Sequence, residues 1–250
     1  MHFSVGVICD DLTKLKIILE PYKESCNEEY MVFVPATKEE MDKYQTMDSD
    51  VYPSFDDFMR GYYGYTQHNG VWGELTNPEA KWDWCVVGGR YLGSLLVKED
   101  AYYIEGEPGT FGNSAPIAPK GYKWVDACRI ADVQWDKMKQ LSMFDIQRQE
   151  AKDGDIWSII TNENHDLNRT YTYYKSSYYW QRFINKENYI KHLTCFFTYN
   201  VVTPDGVWHE PASDRGWFDI DENNQFVEIF FNRFIKPNMD KFIAVIDCHM

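Results

Sequence analysis

Three histidines and two carboxylates have the chemistry of a metal centre or an acid–base pair, and all lie near the chain ends. His2 opens the sequence, His209 and Glu210 fall in "WHEP", and Asp247 and His249 in the closing "IDCH". Imidazole and carboxylate ligands suit a divalent cation, and an imidazole beside a carboxylate suits proton transfer. On a strand, Asp247 and His249 share a face while Cys248 points the other way. If the first and last strands pair antiparallel, His2 meets both. The spacings match no known ligand motif, and the plainer reading is a strand end with a polar tip.

A second group lies in "KWDWCVVGGRYLG", Lys81 to Gly93. On a strand, Trp82 and Trp84 share a face and Asp83 takes the other. An indole can stack a base, and Arg90 can grip a phosphate or carboxylate through two hydrogen bonds. Trp82, Asp83, Trp84 and Arg90 are therefore the candidate ligand-binding residues. The plainer reading is a Trp-rich core strand, a hairpin turn at Gly88–Gly89 and an exposed Arg. The sequence holds no GxxxxGK[ST], GxGxxG, CxxC, GxSxG, SxxK or HExxH pattern. A third group is tyrosine: "YYGY" at 62–65 and "YTYYKSSYYWQRF" at 171–183 offer rigid amphipathic area for a protein partner or an aromatic core.

The elements that must position these residues follow from hydropathy patterning. "FSVGVIC" and "KFIAVIDCHM" read as strands at the two ends, and "YMVFVPA" as a second strand after a short helix interrupted by Pro21. Thr37 and Glu40 form a capping-box pattern, and a helix is expected from Ser54 to about Tyr62. "WDWCVV" and "YLGSLLV" read as a hairpin, and 105–121 as a loop. Residues 125–153 read as helical with a break near Leu141–Ser142. "TCFFTYNVVTPDGVWHE" reads as strand, Pro-Asp-Gly turn and strand, with Asp205 a turn residue. "NNQFVEIFFNRFIKP" reads as an amphipathic helix with Phe226, Ile229, Phe230 and Phe234 on one side. The expectation is a single α+β domain over 1–250. Its antiparallel or mixed sheet has ferredoxin-like, split β-α-β character. Residues 1–45 and 194–250 form that sheet with 81–97, and 100–190 are a loop and helical insertion.

The 250 residues suffice for one large domain or two small ones, and 44% hydrophobic content places the chain in the globular range. The formal net charge is −14. Residues 1–50 hold 11 acids against 5 bases and 201–250 hold 9 against 4, whereas 101–200 balance at 12 each. Such a charge repels phosphates and argues against direct nucleic-acid binding, yet it could attract a basic protein groove. Six cysteines without zinc spacing, three of them (Cys9, Cys195, Cys248) in apolar runs, read as free thiols in a reducing compartment. No secretory leader or apolar run of membrane-spanning length is read, so no membrane association is expected.

Four stretches, "HFSVGVI…EPYKE", "NPEAKWDWCVVGGR", "TPDGVWHEP…GWF" and "IAVIDCH", together resemble a family of uncharacterised tailed-bacteriophage proteins. Members read "KWDW…GGRW" centrally, "DG.WHEPG..GW" later and end on "VDCH". Here Tyr91 stands where Trp is usual, and "HEPASDRGW" replaces a shorter glycine turn. The resemblance implies a phage origin, hence the cytoplasm of an infected bacterial host, and implies no activity. With the acidic ends it points to a counter-defence inhibitor of a host defence protein, such as a CRISPR effector. Two alternatives stay open. One is a nucleotide-binding sponge or metal-dependent hydrolase of a signalling nucleotide, using Trp82, Trp84 and Arg90 with a divalent metal at His2, His209, Asp247 and His249. The other is a structural or packaging component of the virion.

Overall fold

The computed structural model describes residues 2–109, 112, 114–161, 183, 185–211, 225–227 and 229–250. The chain divides into two compact units, where the sequence reading places 1–250 in one domain. The larger comprises Met1–Leu15 and Cys85–His249, the smaller Lys16–Trp84 with Met250.

The strands, in chain order, are β1 (His2–Cys9), β2 (Val32–Pro35), β3 (Thr66–His68), β4 (Val71–Thr76), β5 (Trp84–Gly89), β6 (Leu95–Lys98), β7 (Tyr103–Ile104), β8 (Glu107–Pro108), β9 (Tyr122–Val125), β10 (Ala127–Arg129), β11 (Asn200–Val202), β12 (Trp208–His209) and β13 (Phe242–His249). The fold is α+β, with a large mixed sheet in the larger unit. Its order is β12-β11-β1-β13-β10-β7, with β5 beside β13 and β8 beside β5. The two terminal strands pair antiparallel along their whole length, His2 opposite His249 and Cys9 opposite Phe242. β1 also pairs β11 in parallel, and the Pro-Asp-Gly turn returns β12 antiparallel to β11.

β1 and β13 are nearly continuous apolar runs because they are central and buried on both sides. Ile8, Val201, Ile243 and Val245 meet Phe226, Phe230, Phe234 and Ile235 in the main core. Phe231–Ile235 is π-helical. Ile229, expected on the same side as these phenylalanines, is 40% exposed. The helix Trp135–Asp153 runs unbroken through Leu141–Ser142, where Ser142 Oγ donates to the Met138 carbonyl instead of ending the helix.

Three further expectations are corrected. Only β1 of residues 1–45 joins the large sheet. β2 pairs β4 in a β2-β4-β3 sheet of the smaller unit, so 1–45 do not close a split β-α-β within one sheet. β5 and β6 are not a hairpin, since β5 lies beside β13 and β8 while β6 pairs β9. The 100–190 segment is not merely an insertion, because β10 and β7 extend the large sheet. In the smaller unit, the helix Phe55–Gly61 is capped by Ser54 and packs Phe58 and Met59 against Trp72. The Thr37–Glu40 capping box forms as read.

Candidate functional site

Pairing β1 with β13 sets His2, Ser4, Gly6 and Ile8 on the face that carries His249, Asp247, Val245 and Ile243. Asp247 is fully buried. Its Oδ1 lies 2.9 Å from His2 Nδ1, and its Oδ2 accepts the Arg90 backbone N–H at 2.8 Å. The rings of His2 and His249 meet edge to face with centroids 4.9 Å apart. The juxtaposition read from strand periodicity is thus formed.

His209 does not join this cluster. It sits opposite Val201, which is itself opposite Gly6, four residues along β1 from His2. Its Nε2 is 3.0 Å from Thr203 Oγ1 and its ring packs on Phe234. Burial and the Arg233 charge hold the His209 pKa below the ordinary value, partly offset by Asp205. Glu210, its neighbour in the sequence, is exposed. Among the described residues, no group of three or more His, Cys, Asp or Glu side chains is placed to hold a metal ion.

The turn after β5 is built around two carboxylates. Asp126, which the sequence reading passes over, is 1% exposed. It accepts Gly93 N–H on Oδ1 at 2.7 Å and Gly106 N–H on Oδ2 at 2.8 Å. Burial raises its pKa, and the N–H donors of Gly106, Gly93 and Ser94 oppose that rise. The Val245 N–H donates to the Asp126 carbonyl, so Asp126 lies opposite Val245, two residues from Asp247 and on the same face. The stretch from Gly88 to Gly93 therefore crosses two buried acids. Gly88 and Gly89 have φ of +82° and +56°. A methyl at Gly88 would lie 3.1 Å from Asp126 Cγ, and one at Gly89 would overlap the Asp247 carboxyl. The glycines serve close backbone approach to carboxylates, not a hairpin.

The Trp82–Trp84 platform is not formed. The strand begins only at Trp84, so period-two alternation does not extend back to Trp82. Trp82 is buried in the smaller unit with Lys23 Nζ 5.9 Å from its ring centroid, while Trp84 is 43% exposed. Asp83 is exposed in the smaller unit, and Arg90 belongs to the larger. What the structure assigns to the "GGR" turn is its backbone: the Arg90 N–H holds Asp247. Tyr91, the next residue, has its phenol pKa pushed up to about 12, first by burial and then by the Asp247 charge.

Two further features carry chemistry. β5 carries Cys85 and the adjacent β13 carries Cys248, whose thiol is pushed well up by the neighbouring Cys85 and by burial. A cleft of about 500 Å³, away from the His2 cluster, is lined by Trp124, Trp135, Lys139, Lys191, Phe196 and Phe231 among others. Of the tyrosine-rich segments, 171–182 lie outside the described residues. In 62–65, Tyr63 and Tyr65 stack at 5.0 Å while Tyr62 is 45% exposed and carries Lys43 Nζ 4.5 Å above its ring. No helix among the described residues is long and apolar enough to cross a membrane. The chain matches no family model, no curated protein and no solved structure.

Proposed function

We propose that the chain is a non-enzymatic binding protein whose smaller unit engages a basic surface on a protein partner. One observation carries this reading. Lys16–Trp84 hold fourteen Asp and Glu against six Lys and Arg, a net −8 of the chain's −14. Three of those six cations lie over aromatic rings, Lys23 on Trp82, Lys43 on Tyr62 and Arg60 on Trp72. Such a field accelerates encounter with a positive groove and repels nucleic acid. The resemblance to tailed-bacteriophage proteins supports a host defence protein that itself binds nucleic acid as the partner, met in the cytoplasm of the infected cell.

The test is affinity purification from infected cells with salt washes, run beside a variant carrying Glu28→Lys, Glu29→Lys, Asp42→Lys and Asp50→Lys. These exposed acids are chosen because reversing all four cancels the unit's net charge. A specific partner should leave the wild type as salt rises towards about 1 M and fail to bind the variant, since screening shortens the Debye length to about 3 Å. A partner kept equally by both proteins at high salt overturns the reading.

A second reading is favoured by the contact between His2 Nδ1 and a fully buried carboxylate, which orients one imidazole beside another. On this reading the His2–His249 end of the sheet binds a small phosphorylated ligand such as a signalling nucleotide, with Arg90 contributing its guanidinium. Arg90→Ala and His249→Ala should each weaken nucleotide binding measured by calorimetry. Unchanged binding in both, or none by the wild type, removes it.

A further inference from the structure

The cleft of about 500 Å³ lies wholly within the larger unit, and neither reading above uses it. Its volume is within the range of small-molecule pockets. The helix Trp135–Asp153 supplies Trp135 and Lys139 to its walls, β9 supplies Trp124, and the π-helix supplies Phe231. Phe196 and Lys191 come from the helix Lys186–Thr194 and the residues just after it. Three features restrict what could bind there. The first is aromatic. Trp135 meets Phe231 with ring centroids 5.6 Å apart at 83°, and Phe196 at 5.3 Å and 56°. A flat ring that stacks on one of these meets the next at its edge, the arrangement aromatic pairs prefer. The second is a pair of donors. The indole N–H groups of Trp124 and Trp135 are buried and have no hydrogen-bond partner among the described residues. Buried donors are nearly always bonded, and an indole N–H can only donate, so the missing partner is an acceptor. The third is charge. Among the described residues the lining carries two cations, Lys139 and Lys191, against one acid, Asp136, in a chain whose net charge is −14. Both lysines are exposed, so their flexible ammonium groups meet an anion arriving from solvent.

We propose that this cleft is a binding site for a small planar aromatic anion. The ring lies against Trp135, Phe196 and Phe231, the acid group meets Lys139, and its oxygens accept from the Trp124 and Trp135 indoles. An apolar ligand would leave both donors unbonded, and an aliphatic anion would forgo the aromatic walls. π-helical turns recur at functional sites, and the one here brings Phe231 to the cleft. The site is independent of the acidic smaller unit, so it stands whether or not that unit engages a protein.

The experiment titrates the full-length protein with anilinonaphthalene sulfonate, a planar aromatic anion, and with phenylnaphthylamine, the same rings without the acid group. Fluorescence should show one saturable site for the sulfonate, with the uncharged compound about tenfold weaker. Lys139→Glu should weaken the sulfonate by about fivefold or more and leave the uncharged compound unchanged. In proton–nitrogen correlation spectra, the indole signals that disappear in Trp124→Phe and in Trp135→Phe identify the two donors. Both should move downfield in the wild type when the sulfonate is added, as hydrogen bonds form. No saturable binding, equal affinity for the two compounds, wild-type binding by Lys139→Glu, or unmoved indole signals each overturn the proposal. Lys139 is exposed, so its variant and the wild-type titration decide the question even where a tryptophan variant fails to fold.

Discussion

Asp247 shows how one buried acid organises its surroundings. A carboxylate fully removed from water is costly unless its oxygens are bonded, and here His2 and the Arg90 N–H bond one oxygen each. The Arg90 N–H can approach only because the preceding residue has no side chain. Gly89→Ala should therefore destabilise the chain by roughly 2–4 kcal/mol, combining positive-φ strain with overlap on Asp247. Gly121→Ala is the control, since its φ is +83° with nothing within 4 Å of an added methyl, so only strain, about 1 kcal/mol, applies there. Urea unfolding of both variants measures the difference. Equal losses would mean that the Asp247 contact contributes nothing.

The hairpin of β11 and β12 is the element whose behaviour should depend most plainly on pH. Thr203 bonds both the Val207 carbonyl and His209 Nε2, and the His209 ring packs on Phe234 of the main core. Its folded pKa is below the ordinary 6.5 because burial and Arg233 disfavour the cation. A depressed folded value means that the neutral ring contributes stability above about 6.5, and that this is lost as pH falls through the folded pKa. Unfolding midpoints should fall on acidification below that point, and less steeply in His209→Gln. Arg233→Ala should raise the His209 pKa in an NMR titration. A His209 that titrates at or above 6.5 in the wild type would contradict the burial argument.

Across the whole molecule, charge is the property with the longest reach. The smaller unit holds the −8 field, while its fold rests on aromatic packing around Phe58 and Trp72. The four acids are exposed and are not members of that cluster, so they can be changed with little loss of stability and the fourfold charge reversal separates binding from folding. At about 0.15 M salt the screening length is about 8 Å, so only charges near the contact contribute. The variant should accordingly slow association more than it speeds dissociation.

Local chemistry in the sequence determined much of this protein. Apolar runs at both ends determined central strands, because a strand buried on both faces must be apolar throughout. Ser54 and the Thr37–Glu40 pair determined helix starts, because they satisfy backbone N–H groups within a few residues. Period-two alternation placed Asp247 and His249 on one face, and the β1–β13 pairing brought His2 to them. Tertiary structure alone decided which strands β2 and β5 would join, since apolar alternation states that a face is buried and not against what. It alone decided the fate of "WVDAC", where an acid amid apolar residues signals a buried carboxylate but does not name its donors. Those donors are N–H groups of Gly93 and Gly106, 33 and 20 residues earlier in the chain. Backbone donors are present at every residue but Pro, so composition cannot mark them. Only the folded path of the chain brings two of them to one acid.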